Sequence, residues 1–157
     1  MLFLPGNTPR MLINGAFLGA DAIIFDLEDA VAPAEKDAAR ILVRNTMRYM
    51  DLGACEVIVR INSIDTAFWK ADLDQILPEK PGLILLPKTG SAADVLEADA
   101  YITELEDKLG FARNTVRLMP LISTQSRAPW STTLSLACST PHWARVSRTE
   151  RSMASPN

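Results

Sequence analysis

Five short apolar runs punctuate the chain, at residues 2–4, 22–25, 57–59, 83–86 and 116–122. Each is strand-sized and none alternates with polar residues, as in parallel strands covered on both faces. Between them the apolar positions step by three and four. The clearest case is Val95, Ala98, Ile102, Leu105 and Leu109, with Ser91 placed as an N-cap and Gly110 as the residue just past the end. Thr8-Pro9 predicts the start of a first helix with Leu12, Ala16 and Phe17 inward. Ala38, Ile41, Leu42 and Tyr49 predict a second. Thr66 is placed to cap a third that buries Leu73, Ile76 and Leu77. The order is β-α-β-α-β-α-β-α-β, with Gly53, Pro81-Gly82 and Gly90 between elements. That is an α/β fold with a parallel sheet. Periodicity does not choose between an open doubly wound sheet and a (β/α)8 barrel. Five strands complete the first and leave the second open.

After residue 122 the pattern stops, and composition marks the same seam. All seven glycines of the 157 residues precede residue 111. Residues 1–124 carry 12 Lys/Arg against 18 Asp/Glu, a net of −6. Residues 125–157 carry four Arg against one Glu, a net of +3, and the two sum to the chain's −3. The tail is rich in Ser, Thr, Arg and Pro, and its one candidate element is 134–138. A disordered tail is expected from such composition, although Trp130 and Trp143 are unusual in one.

Composition also excludes function classes. No apolar run spans a bilayer, and 1–4 stops at Pro5-Gly6, too short for a signal-peptide core. Cys55 and Cys138 make no disulfide framework, so reduced intracellular thiols are expected. The acidic body argues against nucleic acid as a partner.

In parallel α/β proteins the chemistry sits at the C-terminal ends of the strands. Here those ends read Pro5-Gly6-Asn7, Asp26-Leu27-Glu28-Asp29, Arg60-Ile61-Asn62, Pro87-Lys88-Thr89 and Ser123-Thr124. Three carboxylates, an Arg and a Lys are thus expected to converge on one rim. The acids suit Mg²⁺, or equally the capping of the next helix. Arg60 suits bidentate capture of a carboxylate, or a structural pairing with the strand-two acids. Lys88 is an anion contact or a solvated loop lysine. His142 lies in the patternless tail.

Taken together these blocks resemble a known family. Leu2-Phe3-Leu4-Pro5-Gly6-Asn7, the block from Gly19 through Phe25-Asp26-Leu27-Glu28-Asp29-Ala30-Val31, Lys36-Asp37-Ala38-Ala39-Arg40, Val59-Arg60-Ile61-Asn62 and Leu86-Pro87-Lys88-Thr89 match in order and spacing. The chain resembles the HpcH/HpaI aldolase and citrate lyase family over residues 1 to about 122, and within it the citrate lyase β-subunits. The resemblance implies an incomplete TIM-type (β/α)8 barrel, its first four βα units plus strand five. It implies Mg²⁺-assisted cleavage of a carbon–carbon bond in an acyl-CoA or acyl-carrier-protein thioester: citryl thioester to oxaloacetate and an acetyl thioester. A malyl-CoA-type lyase or thioesterase is the alternative. It makes Arg60 the substrate-binding residue, and sets Glu28 and Asp29 at the border of the metal site. Other citrate lyase subunits and a homo-oligomer are implied partners, in the cytoplasm, with neither nucleic acid nor membrane.

The resemblance also has breaks. The family's metal-binding Glu at the end of strand five is replaced by Ser123, and the block carrying its second ligand, an Asp, is absent. A neutral hydroxyl is a poor substitute for a Mg²⁺-binding carboxylate. A truncated or frame-shifted coding sequence is therefore expected, with residues 123–157 read from another frame. So is an impaired or inactive chain, acting at most as an interaction partner.

Overall fold

The computed structural model describes residues 1–122. All five apolar runs form strands: β1 (Leu2–Pro5), β2 (Ala22–Asp26), β3 (Glu56–Arg60), β4 (Leu83–Thr89) and β5 (Arg117–Ile122). They build one sheet in the order β1-β2-β3-β4-β5, every neighbouring pair parallel. The connections carry α1 (Pro9–Asn14), α2 (Lys36–Tyr49), α3 (Trp69–Ile76) and α4 (Ala92–Leu109).

Register sorts the side chains into rows. Leu4, Phe25, Val59, Ile84 and Leu118 are opposite one another across all five strands. This row is buried in one cluster with Leu12, Val43, Leu73, Ile76, Ala98 and Ile102 from the four helices. The alternate positions face the other way. Ala22, Ile24, Ile58 and Leu85 form a second cluster with Leu83 and Met119, made of strand residues alone. Helices therefore cover one face only. A doubly wound sheet carries helices on both faces and reverses its strand order. Sequential order with one-sided helices is the barrel arrangement, so the chain holds four βα units and the fifth strand of a barrel.

Local chemistry accounts for the element ends. Ser91 Oγ accepts from the Asp94 amide (3.3 Å), and the Asp94 carboxylate accepts from the Ser91 amide (3.0 Å), a complete capping box on α4. Gly110 ends that helix at φ +69°, a conformation that favours glycine. Ala98, Ile102 and Leu105 are buried as expected, with Val95 partly so and Leu109 at the surface. Gly6 is fixed by close approach. Its amide donates to the Asp26 carbonyl (2.8 Å), and a Cβ there would stand 2.8 Å from that same oxygen.

Three helical expectations are corrected. Phe17 does not point inward but is 82% exposed. α1 ends at Asn14, and a 3₁₀ turn over Gly15–Leu18 packs Gly15 against Leu4, where a Cβ would come within 2.6 Å of the leucine. On α2 the buried stripe is Ala39, Val43 and Thr46, with Leu42 partly buried, whereas Ala38, Ile41 and Tyr49 are exposed. The face is displaced because Lys36 and Arg40 are themselves buried on it. Finally, α3 starts at Trp69. Thr66 closes a turn ahead of it, its hydroxyl donating to the Ser63 carbonyl (2.7 Å) and accepting from the Phe68 amide (3.3 Å). Leu73, Ile76 and Leu77 are buried as expected. The tail, with Ser123, His142, Cys138 and the candidate element at 134–138, lies outside the described residues. No helix among the described residues is long and apolar enough to cross a membrane.

Candidate functional site

Asp26 and Arg60 are partners in register at the last positions of β2 and β3. They continue the row parity of Ile24 and Ile58, so both belong to the helix-free face. Their side chains meet as a bidentate pair: Arg60 Nε donates to Asp26 Oδ1 (2.7 Å) and Nη2 to Oδ2 (2.5 Å). Asp26 also accepts from the amides of Glu28 (2.8 Å) and Ala30 (3.2 Å), which winds the chain tightly as it leaves β2. Burial pushes the Asp26 carboxyl up, but the Arg60 hydrogen bond and these amides outweigh it and hold it below the usual range. The hydrogen bond to Asp26 holds the Arg60 guanidinium firmly charged against its own burial. The Phe3 ring of β1 lies under it, 5.3 Å from centroid to Cζ.

The remaining charges gather around this pair. Arg60 Nη1 lies 3.3 Å from Glu28 Oε2 and 3.7 Å from Asp29 Oδ2. Lys88 Nζ lies 2.8 Å from Glu28 Oε1 and donates to Asp29 Oδ1 (3.1 Å). Contacts to Glu28 and then Asp29 push the Lys88 ammonium up. A bulge in β4 puts Lys88 there. Leu86 pairs with Pro120 and Thr89 with Ile122, so one residue of β4 is extra. Lys88 takes the left-handed conformation (φ +50°), and the buried Thr89 hydroxyl closes the bulge on the Leu86 carbonyl (3.1 Å).

The five charged groups expected at the strand ends thus do converge. The pairing left open for Arg60 is present: its fork is engaged by Asp26. Lys88 is exposed yet ion-paired, so it is not a free loop lysine.

Several residues that matter here carried no separate signal. Lys36, the first residue of α2, is buried and donates to the carbonyls of Leu27 (2.7 Å) and Glu28 (2.6 Å), holding the acidic loop from below. Burial lowers its ammonium despite the carboxylates nearby. Behind the β3 end, the fully buried Asp72 accepts from Arg40 Nε (2.8 Å), the Asn62 amide (2.8 Å) and Asn62 Nδ2 (2.7 Å). This explains the basic residues of the Lys36–Arg40 block and the Asn of the Arg-Ile-Asn block. Glu106, also buried, accepts from the amides of Asn114 (2.8 Å) and Val116 (2.9 Å) and so leads the chain into β5. Local periodicity carries no sign of these pairs, because each joins residues that do not share a helix or strand.

The donor set of the described residues does not by itself fit a metal ion. Among the described residues no group of three or more His, Cys, Asp or Glu side chains is placed to hold one. The rim acids are instead engaged by Arg60 and Lys88.

Fold and rim together define a barrel-type α/β protein with an ion-paired site at its strand ends. The sequence model of one family, HpcH/HpaI aldolase/citrate lyase, matches residues 1–127. The chain belongs to that family. It is 42% identical over 124 residues to citrate lyase subunit beta of Leuconostoc mesenteroides subsp. cremoris, a match covering 79% of this chain and 41% of the relative. It is 44% identical over 105 residues to a (3S)-malyl-CoA thioesterase of Cereibacter sphaeroides, covering 67% of this chain and 37% of the relative. Among solved structures it is similar to the citrate lyase beta subunit of M. tuberculosis complexed with oxaloacetate and magnesium. There the identity is 32% and the TM-score 0.62, over 87% of this chain and 52% of that one. The chain spans about two fifths of the length of these two curated relatives.

Proposed function

We propose that the strand-end rim is the oxo-acid side of a carbon–carbon lyase centre of the citrate lyase β type. In the whole protein a citryl thioester, carried on CoA or an acyl carrier protein, is cleaved to oxaloacetate and an acetyl thioester. The bond to the hydroxyl-bearing carbon breaks and the hydroxyl gives up its proton, its oxygen becoming the carbonyl of the oxo acid. The electron pair of the broken bond passes into the thioester enolate, which takes a proton on carbon. The observation that carries this reading is the state of Arg60. Two of its nitrogens are hydrogen-bonded to Asp26, while Nη1 makes only ion-pair contacts, with Glu28 at 3.3 Å and Asp29 at 3.7 Å. The group is held rigidly and keeps one donor for a substrate carboxylate. Lys88 adds a second cation at the same rim. Glu28 and Asp29 hold these two cations in place.

No step is assigned to magnesium, because the described acids do not form a site for it; Ser123, at the family's ligand position, lies outside the described residues. For the 157-residue chain by itself we propose little turnover and weak Mg²⁺ affinity. Other citrate lyase subunits, a second copy of the chain and a cytoplasmic location belong to the same reading. Residues 123–157 read from a shifted frame belong to it as well. Reading the nucleotides after codon 122 in the other two frames checks that, and a Glu-Thr block in neither of them rejects it.

The test separates binding from turnover. Oxaloacetate at millimolar concentration is expected to raise the Tm of the chain, and Arg60→Lys to abolish the rise. Absence of any Arg60-dependent shift overturns the reading of the rim. With citryl-CoA and Mg²⁺, oxaloacetate release should stay at background, also in Ser123→Glu; release at enzymic rates overturns the proposal of an impaired chain. The malyl-CoA thioesterase relatives favour a second reading, in which (3S)-malyl-CoA is the preferred thioester. A rise in Tm with (3S)-malyl-CoA, with none from citryl-CoA, selects it. No ligand response of any kind selects a non-catalytic partner role.

A further inference from the structure

We propose that Lys88 is a tethered counter-cation, occupying at the acidic rim the place a divalent cation would take against Glu28 and Asp29. The inference goes beyond the lyase reading and does not depend on it.

Glu28 is the observation that calls for a cation. It is 5% exposed, and neither carboxylate oxygen has a well-aligned hydrogen-bond donor among the described residues. A buried carboxylate without donors carries a large desolvation cost unless a positive charge faces it. Two do: Lys88 Nζ at 2.8 Å from Oε1 and Arg60 Nη1 at 3.3 Å from Oε2. Arg60 is committed to Asp26 through its other nitrogens. Lys88 has no such commitment. It is 61% exposed along its side chain, and its ammonium bridges Glu28 and Asp29 and nothing else among the described residues.

The backbone is adapted to that task. β4 gains a residue at the bulge, and Lys88 sits at φ +50°, where a side chain costs about 1 kcal/mol or more relative to glycine. Normal strand alternation would not send a residue across the rim in this way. The charge count agrees. Asp26, Glu28 and Asp29 are matched by Arg60, Lys88 and Lys36, so the rim is neutral and has no surplus negative charge to attract a free cation. This accounts for acids in a cation-binding pattern that do not form a metal cluster.

Removing the ammonium should therefore create affinity that the chain now lacks. Mn²⁺ binding to the full 157-residue chain, measured by electron paramagnetic resonance, is the readout. Lys88→Gly removes the charge and relieves the left-handed backbone, so it is expected to fold; Lys88→Asn tolerates the same conformation and is the second variant. Both are expected to bind Mn²⁺ at least about tenfold more tightly than the unmodified chain, and Lys88→Arg, which keeps the charge, to match it. Adding Glu28→Gln to Lys88→Gly should abolish the gain. Equal affinity in the unmodified chain and both uncharged variants overturns the proposal, as does a gain that survives Glu28→Gln.

Discussion

Two of the Arg–Asp pairs among the described residues look alike on paper and behave differently. Arg40–Asp72 lies on the helix side of the sheet, between α2 and α3, and Asp72 is fully enclosed. Arg60–Asp26 lies on the helix-free side, at the strand ends. Each aspartate has a guanidinium and two further N–H donors. The difference is in what surrounds them. Around Asp72 the network runs to Asn62 on one side and through Arg40 to Asp37 on the other, and serves to tie α2 and α3 to the chain after β3. Around Asp26 it opens onto Glu28, Asp29 and Lys88, charged groups held by one another at the edge of solvent. The first pair belongs to the scaffold, and the second belongs to the rim for which we propose a binding role. What separates them is which face of the sheet they occupy, a property the amino-acid types do not reveal.

The largest effect should come from breaking the enclosed pair. Asp72→Ala leaves the buried Arg40 with only the exposed Asp37 as a partner and frees the Asn62 amide, so a loss of about 3–4 kcal/mol is expected in urea unfolding. A loss under 1 kcal/mol would erase the distinction between scaffold and site.

Asp26→Asn should cost about 1.5–3 kcal/mol at neutral pH, since it weakens hydrogen bonds to a charged group. Its effect should also depend on pH. The folded-state pKa of Asp26 lies below its ordinary value. Its stabilising share is therefore complete above about pH 4 and is lost as pH falls through the folded-state value. The variant should show a shallower acid limb, measured as urea midpoint against pH. Identical acid limbs in both proteins would remove Asp26 from the account.

Gly6→Ala tests the contact between the two faces. Its methyl group would meet the Asp26 carbonyl at 2.8 Å, and shifting that backbone should cost about 1–3 kcal/mol. The thermal midpoint checks it, and an unchanged Tm would mean that the β2 end yields freely. Ser91→Ala should have the smallest effect, about 1 kcal/mol from the α4 cap, and should leave any oxaloacetate response untouched. Loss of that response would mean that α4 and the rim are coupled.

Much of this was legible beforehand because it follows from local rules. Uninterrupted apolar runs gave the five strands, and the strand-end rule brought Asp26, Glu28, Asp29, Arg60 and Lys88 together. Ser91 and Gly110 bounded α4 by their own chemistry. What was not legible depends on distant partners. The buried face of α2 was displaced because Lys36 and Arg40 are inside, and charge normally argues for the outside. Their burial follows from two carbonyls in the β2 loop and a carboxylate on α3. Phe17 departs from the helical step because the chain tightens into a 3₁₀ turn at Gly15. Strand order, which decides between barrel and open sheet, is not encoded in periodicity at all.

That order has a consequence for how the chain is made. Each described strand after β1 pairs with the one just before it in sequence. A ribosome releasing this chain from its N-terminus delivers each of β2 to β5 to a neighbour that has already emerged. Structure can therefore accumulate at the pace of synthesis, one βα unit at a time.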